Sequence, residues 1–115
     1  MAKDPTPRVR DVNTRGVIVQ ITRYVDDSFP GWVECTLTDV HGRQWTFIEK
    51  VPVVTRASLD ASSSYPQPAA LACHIVERCR QPDGTDVVTV DTSTPDGIES
   101  TSGVTRFDVR PEQVA

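Results

Sequence analysis

The chain is poor in cysteine, lysine, aromatic residues and long apolar runs, and each shortage removes a class of protein. It has 115 residues, three of them cysteines: Cys35, Cys73 and Cys79. An odd and sparse set does not make the disulfide framework of a small secreted domain. We read all three as reduced thiols, with Cys35 and Cys73 as small core hydrophobes. No apolar run approaches the roughly 20 residues of a membrane span. The first residues, MAKDPTPRVRDV, lack the apolar stretch of a secretion signal, so the expectation is a bacterial-type cytoplasmic protein without membrane contact. Lys3 and Lys50 are the only lysines, and the remaining basic residues are arginines. The formal charge is −4, whereas duplex-binding proteins are usually basic because they replace phosphate counterions. The balance therefore argues against nucleic acid as partner.

What is present is a series of short β-patterned segments separated by turn chemistry. Gly16–Tyr24 is rich in β-branched residues, with Val17, Val19 and Ile21 on one face. After the Pro30-Gly31 turn signal, Trp32–Val40 alternates, placing Val33, Cys35 and Leu37 together. Asp39-Val40-His41-Gly42 fits a type I turn with Gly42 in the left-handed position and Asp39 capping the turn amides. Arg43–Val51 follows, with Trp45, Phe47 and Glu49 on one face, and Pro52 ends the strand or marks an edge. Residues 53–68 read as a long connection with room for one helical turn at Ser58–Ser62. Further strands are expected at Ala69–Arg80, Asp86–Thr92 and Val104–Val109. These segments predict an all-β domain of about six strands. The expected form is a small antiparallel barrel of OB or SH3-like size, with a β-sandwich as the alternative. Residues 15–110 would form it, between a flexible tail at 1–14 and a short tail at 111–115.

The string PGWVECTLTDVHGRQWTFIEKVPVV, with SSYP at Ser63–Pro66 and GIESTSGVTRFDV at Gly97–Val109, is similar to a group of small bacterial all-β proteins of unassigned function. The resemblance implies a compact β domain and no particular activity. It also implies that Glu49, Lys50, Pro52 and Glu99 belong to a common framework.

Several residue groups invite chemistry. Glu49 follows Trp45 and Phe47 on an apolar face, where a carboxylate must be paired or lie at a rim. Arg23, Arg56, Arg78 and Arg106 are its candidate partners. A poorly solvated Glu49 could act as a general base, and a rim ion pair is the plainer expectation. Asp26, Asp27, Asp39 and His41 could gather around a cation, but their spacing is not that of a calcium loop, and turn caps explain them better. Cys73 and His74 are adjacent strand residues and point to opposite faces, which argues against a shared zinc ion. Neither a metal nor a cofactor is expected. Trp32, Trp45, Phe47 and Tyr65 could stack bases or sugars, but a core of this size needs most of its aromatics.

The reading that follows is a non-enzymatic module that binds another protein, as an accessory or immunity-like factor. Its surface would include Trp32, Glu49, Lys50, Tyr65 and Glu99. The alternatives are an OB-like binder of single-stranded nucleic acid and a small hydrolase or isomerase using Glu49.

Overall fold

The computed structural model describes residues 13–115. The sequence-predicted tail at 1–14 lies mostly outside them, and Thr14 already belongs to the first strand. Six strands form one antiparallel sheet: β1 (Thr14–Asp26), β2 (Trp32–Thr38), β3 (Gln44–Lys50), β4 (Gln67–Arg80), β5 (Asp86–Asp91) and β6 (Arg106–Val109). Their order across the sheet is β3-β2-β1-β4-β5-β6. A single sheet, curled into a half-barrel, stands in place of the two layers of a sandwich. Among the described residues no helix is long and apolar enough to cross a membrane.

The period-2 pattern does what a half-buried sheet requires. Val17, Val19 and Ile21 of β1, Val33, Cys35 and Leu37 of β2, and Leu71 and Cys73 of β4 are all buried on the concave side. Phe47, Phe107, Val88 and Val90 complete that core. Removing a phenylalanine ring from water contributes about 2–3 kcal/mol, so Phe47, wholly buried, is a large single term.

Two long strands set the curl. The first part of β1 pairs with β4, and its second part pairs with β2. In the same way β4 pairs with β1 as far as His74, then with β5 from His74 onward. Register shifts at Ile21/Arg23, Tyr24/Asp26 and Ile75/Glu77 mark where these strands bend. The outer strands β3 and β6 are thereby brought together. Thr101 N donates to Thr46 O at 2.8 Å, and Val40 N donates to Asp108 O at 2.8 Å. Phe107 meets both Trp45 and Phe47 edge-on, with centroids 5.3 and 5.5 Å away.

The Asp39–Gly42 turn is as the sequence predicts. Asp39 accepts the amides of His41 and Arg43, each at 2.9 Å, and Gly42 has φ 81°. Two segments differ from the sequence reading. The helical turn forms at Val51–Val54, directly after β3, rather than at Ser58–Ser62. Proline is tolerated in a first helical turn, where its missing N–H costs nothing, and Val51 and Val54 are drawn into the core. The expected tail at 111–115 is tied to the sheet. Pro111–Gln113 forms a 3₁₀ turn, and the Gln113 amide donates to Thr38 O at 2.9 Å. Val114 then bridges Val17, and Ala115 N donates to Gly16 O at 2.7 Å.

Candidate functional site

The end of the β2–β3 ladder places three of the sequence-predicted residues near one another, on two faces. Trp32 pairs with Lys50 and Val33 with Glu49. Alternation therefore sends Trp32 and Lys50 outward and Glu49 inward. Lys50 Nζ lies 5.6 Å from the centroid of the Trp32 ring, a cation–π arrangement. Trp32 is half-buried, so only the outer part of its ring is available to the surface that the sequence reading assigns to it.

On the inner side, Glu49 is half-buried. Desolvation raises its pKa, and the charge of Asp96 adds to this; Lys50 opposes the rise and Glu99 reinforces it. The expected arginine pairing does not form. Arg23 bridges Glu34 at 3.0 Å and Arg106 bridges Asp91 at 2.9 Å, and no ion pair to Glu49 occurs among the described residues. Glu99 is exposed and belongs to a loop held by Ser100, whose hydroxyl accepts the Val104 amide at 3.0 Å. The structure thus brings Glu49, Asp96 and Glu99 into one acidic neighbourhood, in which Glu49 carries the raised pKa.

Tyr65 is a structural anchor. It packs against the core from the loop before β4, and its hydroxyl donates to Asp60 O at 2.7 Å. Asp60 in turn accepts from Ser62 and so closes the turn beside it.

The other candidate groups separate. Asp26 caps the Ser28 amide in the β1–β2 loop, whereas Asp39 and His41 sit in the β2–β3 turn. These lie at opposite ends of β2, which is seven residues long, or about 23 Å of strand. They cannot share an ion. His41 Nε2 is 3.5 Å from Asp108 Oδ2 instead. Among the described residues no group of His, Cys, Asp and Glu is placed to hold a metal. Cys73 is buried while His74 faces outward between Thr14 Oγ1 and Thr94 Oγ1, at 3.4 and 2.9 Å. Burial pushes the Cys35 thiol up to about 12 and the Cys73 thiol up to about 11. Trp45 and Phe47 are committed to the core and to the seam with Phe107, which leaves no stacking platform there.

Two features escape the sequence reading. Phe29, at the tip of the β1–β2 loop, is 97% exposed. The signal was a lone large apolar residue inside the polar run Asp26-Asp27-Ser28 and before Pro30-Gly31. The base of that loop is fixed. Gly31 has φ 94°, and a Cβ there would come within 2.6 Å of the Tyr24 hydroxyl, so only glycine fits. The second feature is an open cleft of about 1040 Å³. Its floor includes Gly16, Ala70 and Ala72, and its walls are Pro52–Arg56 and Thr94–Asp96.

No known protein family, curated protein or solved structure matches this chain.

Proposed function

We propose that the chain is a non-enzymatic module that binds another protein through the rim formed by Phe29, Trp32 and Lys50. The single observation that carries this reading is Phe29: a phenylalanine 97% exposed on a loop whose base is held by the Asp26 cap and by Gly31. Exposing a whole aromatic ring forgoes burial worth about 2 kcal/mol, and a fixed loop does not relieve that by folding back. Aromatic side chains are also the residues that most often dominate protein–protein contacts. Trp32 and Lys50 extend the rim with a second ring and a positive charge.

The enzymatic reading has less support. Glu49 has Asp96, Lys50 and Glu99 for charged neighbours, and no side-chain hydrogen bond joins it to a nucleophile or a second acid–base group among the described residues. The nucleic-acid reading must set a charge of −4 against a requirement for phosphate contacts.

Affinity capture from the native lysate with the wild-type chain and with Phe29→Ala and Trp32→Ala tests the proposal. The expected result is a partner recovered by the wild type and reduced at least tenfold with either variant, both variants remaining folded. Equal recovery with all three chains contradicts it.

A further inference from the structure

We infer that the Phe29 rim takes a partner of one chemistry: a protein whose apolar pocket is bordered by arginine or lysine side chains. It rests on the proposal that this rim binds protein, and it adds the charge that the partner must carry.

The ring does not stand alone at its loop tip. Asp26 and Asp27 precede it, and all three side chains are exposed. Asp26 accepts the Ser28 amide at 2.7 Å, and Ser28 O accepts the Gly31 amide at 2.7 Å. The Asp26 carboxylate and the ring therefore ride on one closed turn. A third carboxylate comes from another part of the chain: Asp60, exposed in the loop between the Val51–Val54 turn and β4. The Tyr24 hydroxyl links it to the tip. That hydroxyl lies against Gly31, at the base of the Phe29 loop. Its pKa is raised by desolvation first, then by Asp27, and also by the charge of Asp60. The fold thus gathers Asp26, Asp27 and Asp60 around the loop that carries Phe29.

These carboxylates have no cation of their own. None of the three is in an ion pair among the described residues. The amide and hydroxyl of Ser28 hold Asp26 below the ordinary carboxylate range, and the hydroxyl and amide of Ser62 do the same for Asp60. Both therefore stay ionised at neutral pH. Against them stands Lys50, whose ammonium already lies over the Trp32 ring. Arg23, farther back on β1, is matched by Glu34 at 3.0 Å. Three carboxylates against one ammonium leave the rim negative. An exposed ring inside a negative rim fits an apolar pocket with guanidinium or ammonium groups at its mouth, where they bond the carboxylates around the buried ring. A lipid surface fits less well, because anionic headgroups repel carboxylates. A second copy docked rim to rim would oppose like charges.

The test is titration of the full chain with three β-cyclodextrins, whose cavity encloses a phenyl ring and whose rims carry hydroxyl, amino or carboxylate groups. Shifts of the Phe29 ring protons report binding at the site. The amino form should bind at least fivefold more tightly than the hydroxyl form, and the carboxylate form at least fivefold more weakly. Both differences should vanish in the double variant Asp26→Asn, Asp27→Asn, with affinity for the hydroxyl form unchanged; asparagine keeps the oxygen that accepts the Ser28 amide. In capture from lysate, Asp27→Lys with Phe29 in place should lose the partner at least tenfold. Equal affinity for the three forms, a preference that survives the double variant, or undiminished capture by Asp27→Lys overturns the charge assignment and leaves the rim proposal standing. No shift of the Phe29 ring with any form overturns both. Phe29-dependent binding to phosphatidylcholine vesicles containing phosphatidylserine, or a dimer joined through Phe29 in sedimentation, would overturn the inference as well.

Discussion

Asp39 and Trp45 are joined by a 2.9 Å hydrogen bond in which the indole N–H donates to the carboxylate. The same carboxylate accepts the His41 and Arg43 amides, so one side chain closes the β2–β3 turn and fixes the ring that meets Phe107 across the seam. Local turn chemistry and closure of the half-barrel therefore depend on one residue, which is only 5% exposed.

Asp39→Ala should destabilise the fold by about 3 kcal/mol, because it leaves three donors without their charged acceptor. Asp39→Asn should cost less. Burial alone would raise the Asp39 pKa, but the bonds from Trp45, Arg43 and His41 outweigh it and hold the carboxyl below its ordinary value. A depressed acid stabilises above its unfolded pKa, near 3.9, and that contribution is lost as pH falls through the folded value. Urea melts of wild type and Asp39→Ala should therefore differ fully at pH 7 and converge in strong acid.

Glu49 has the opposite sign. Its folded pKa is raised, by desolvation first and then by Asp96, so its ionised form destabilises the fold at neutral pH. Glu49→Gln should raise the melting temperature at pH 7. The gain should shrink as pH falls toward the ordinary glutamate value, near 4.3, where wild-type Glu49 is itself protonated in the folded state. Thermal melts from pH 4 to 7 provide the comparison. A loss of stability at pH 7 would mean that Glu49 is paired after all.

Phe107→Ala should cost about 3–5 kcal/mol, since the ring is almost wholly buried and meets both Trp45 and Phe47. Guanidinium unfolding followed by tryptophan fluorescence gives the measurement.

Cys79 should be the one thiol that a maleimide modifies quickly in the folded chain at pH 8. It is exposed, whereas Cys35 and Cys73 are buried with thiols raised to about 12 and 11. Mass spectrometry should show one adduct in buffer and three in denaturant.

What could be read from the sequence was mainly local. The Asp39–Gly42 turn was legible because its cap, its left-handed glycine and its donors lie within five residues. The opposition of Cys73 and His74 follows from the strand period alone. The Val51–Val54 turn was not legible, because a run of valines with one proline has the composition of a strand end. Its helical form is set by the burial of Val51 and Val54 against a core contributed by distant segments. The attachment of Gln113 to Thr38 spans 75 positions and leaves no local trace. The site was legible only in part. Glu49 could be singled out because a carboxylate at the end of an apolar strand face is unusual, and Lys50 and Trp32 because they flank it at the same strand end. The company Glu49 keeps with Asp96 and Glu99 depends on how the loop after β5 folds. The change of partner along β4, from β1 to β5 at His74, depends on the stagger of the strands, which alternation does not encode.

The most direct measurement is photo-crosslinking from position 29. Phe29 is replaced by benzoylphenylalanine in one chain, and Thr85, exposed in the turn between β4 and β5, is replaced in a control chain. The proposed rim predicts one dominant crosslinked protein from position 29, absent from position 85 and lost when Trp32→Ala is added. No crosslinked protein from position 29, or the same products from both positions, would contradict it.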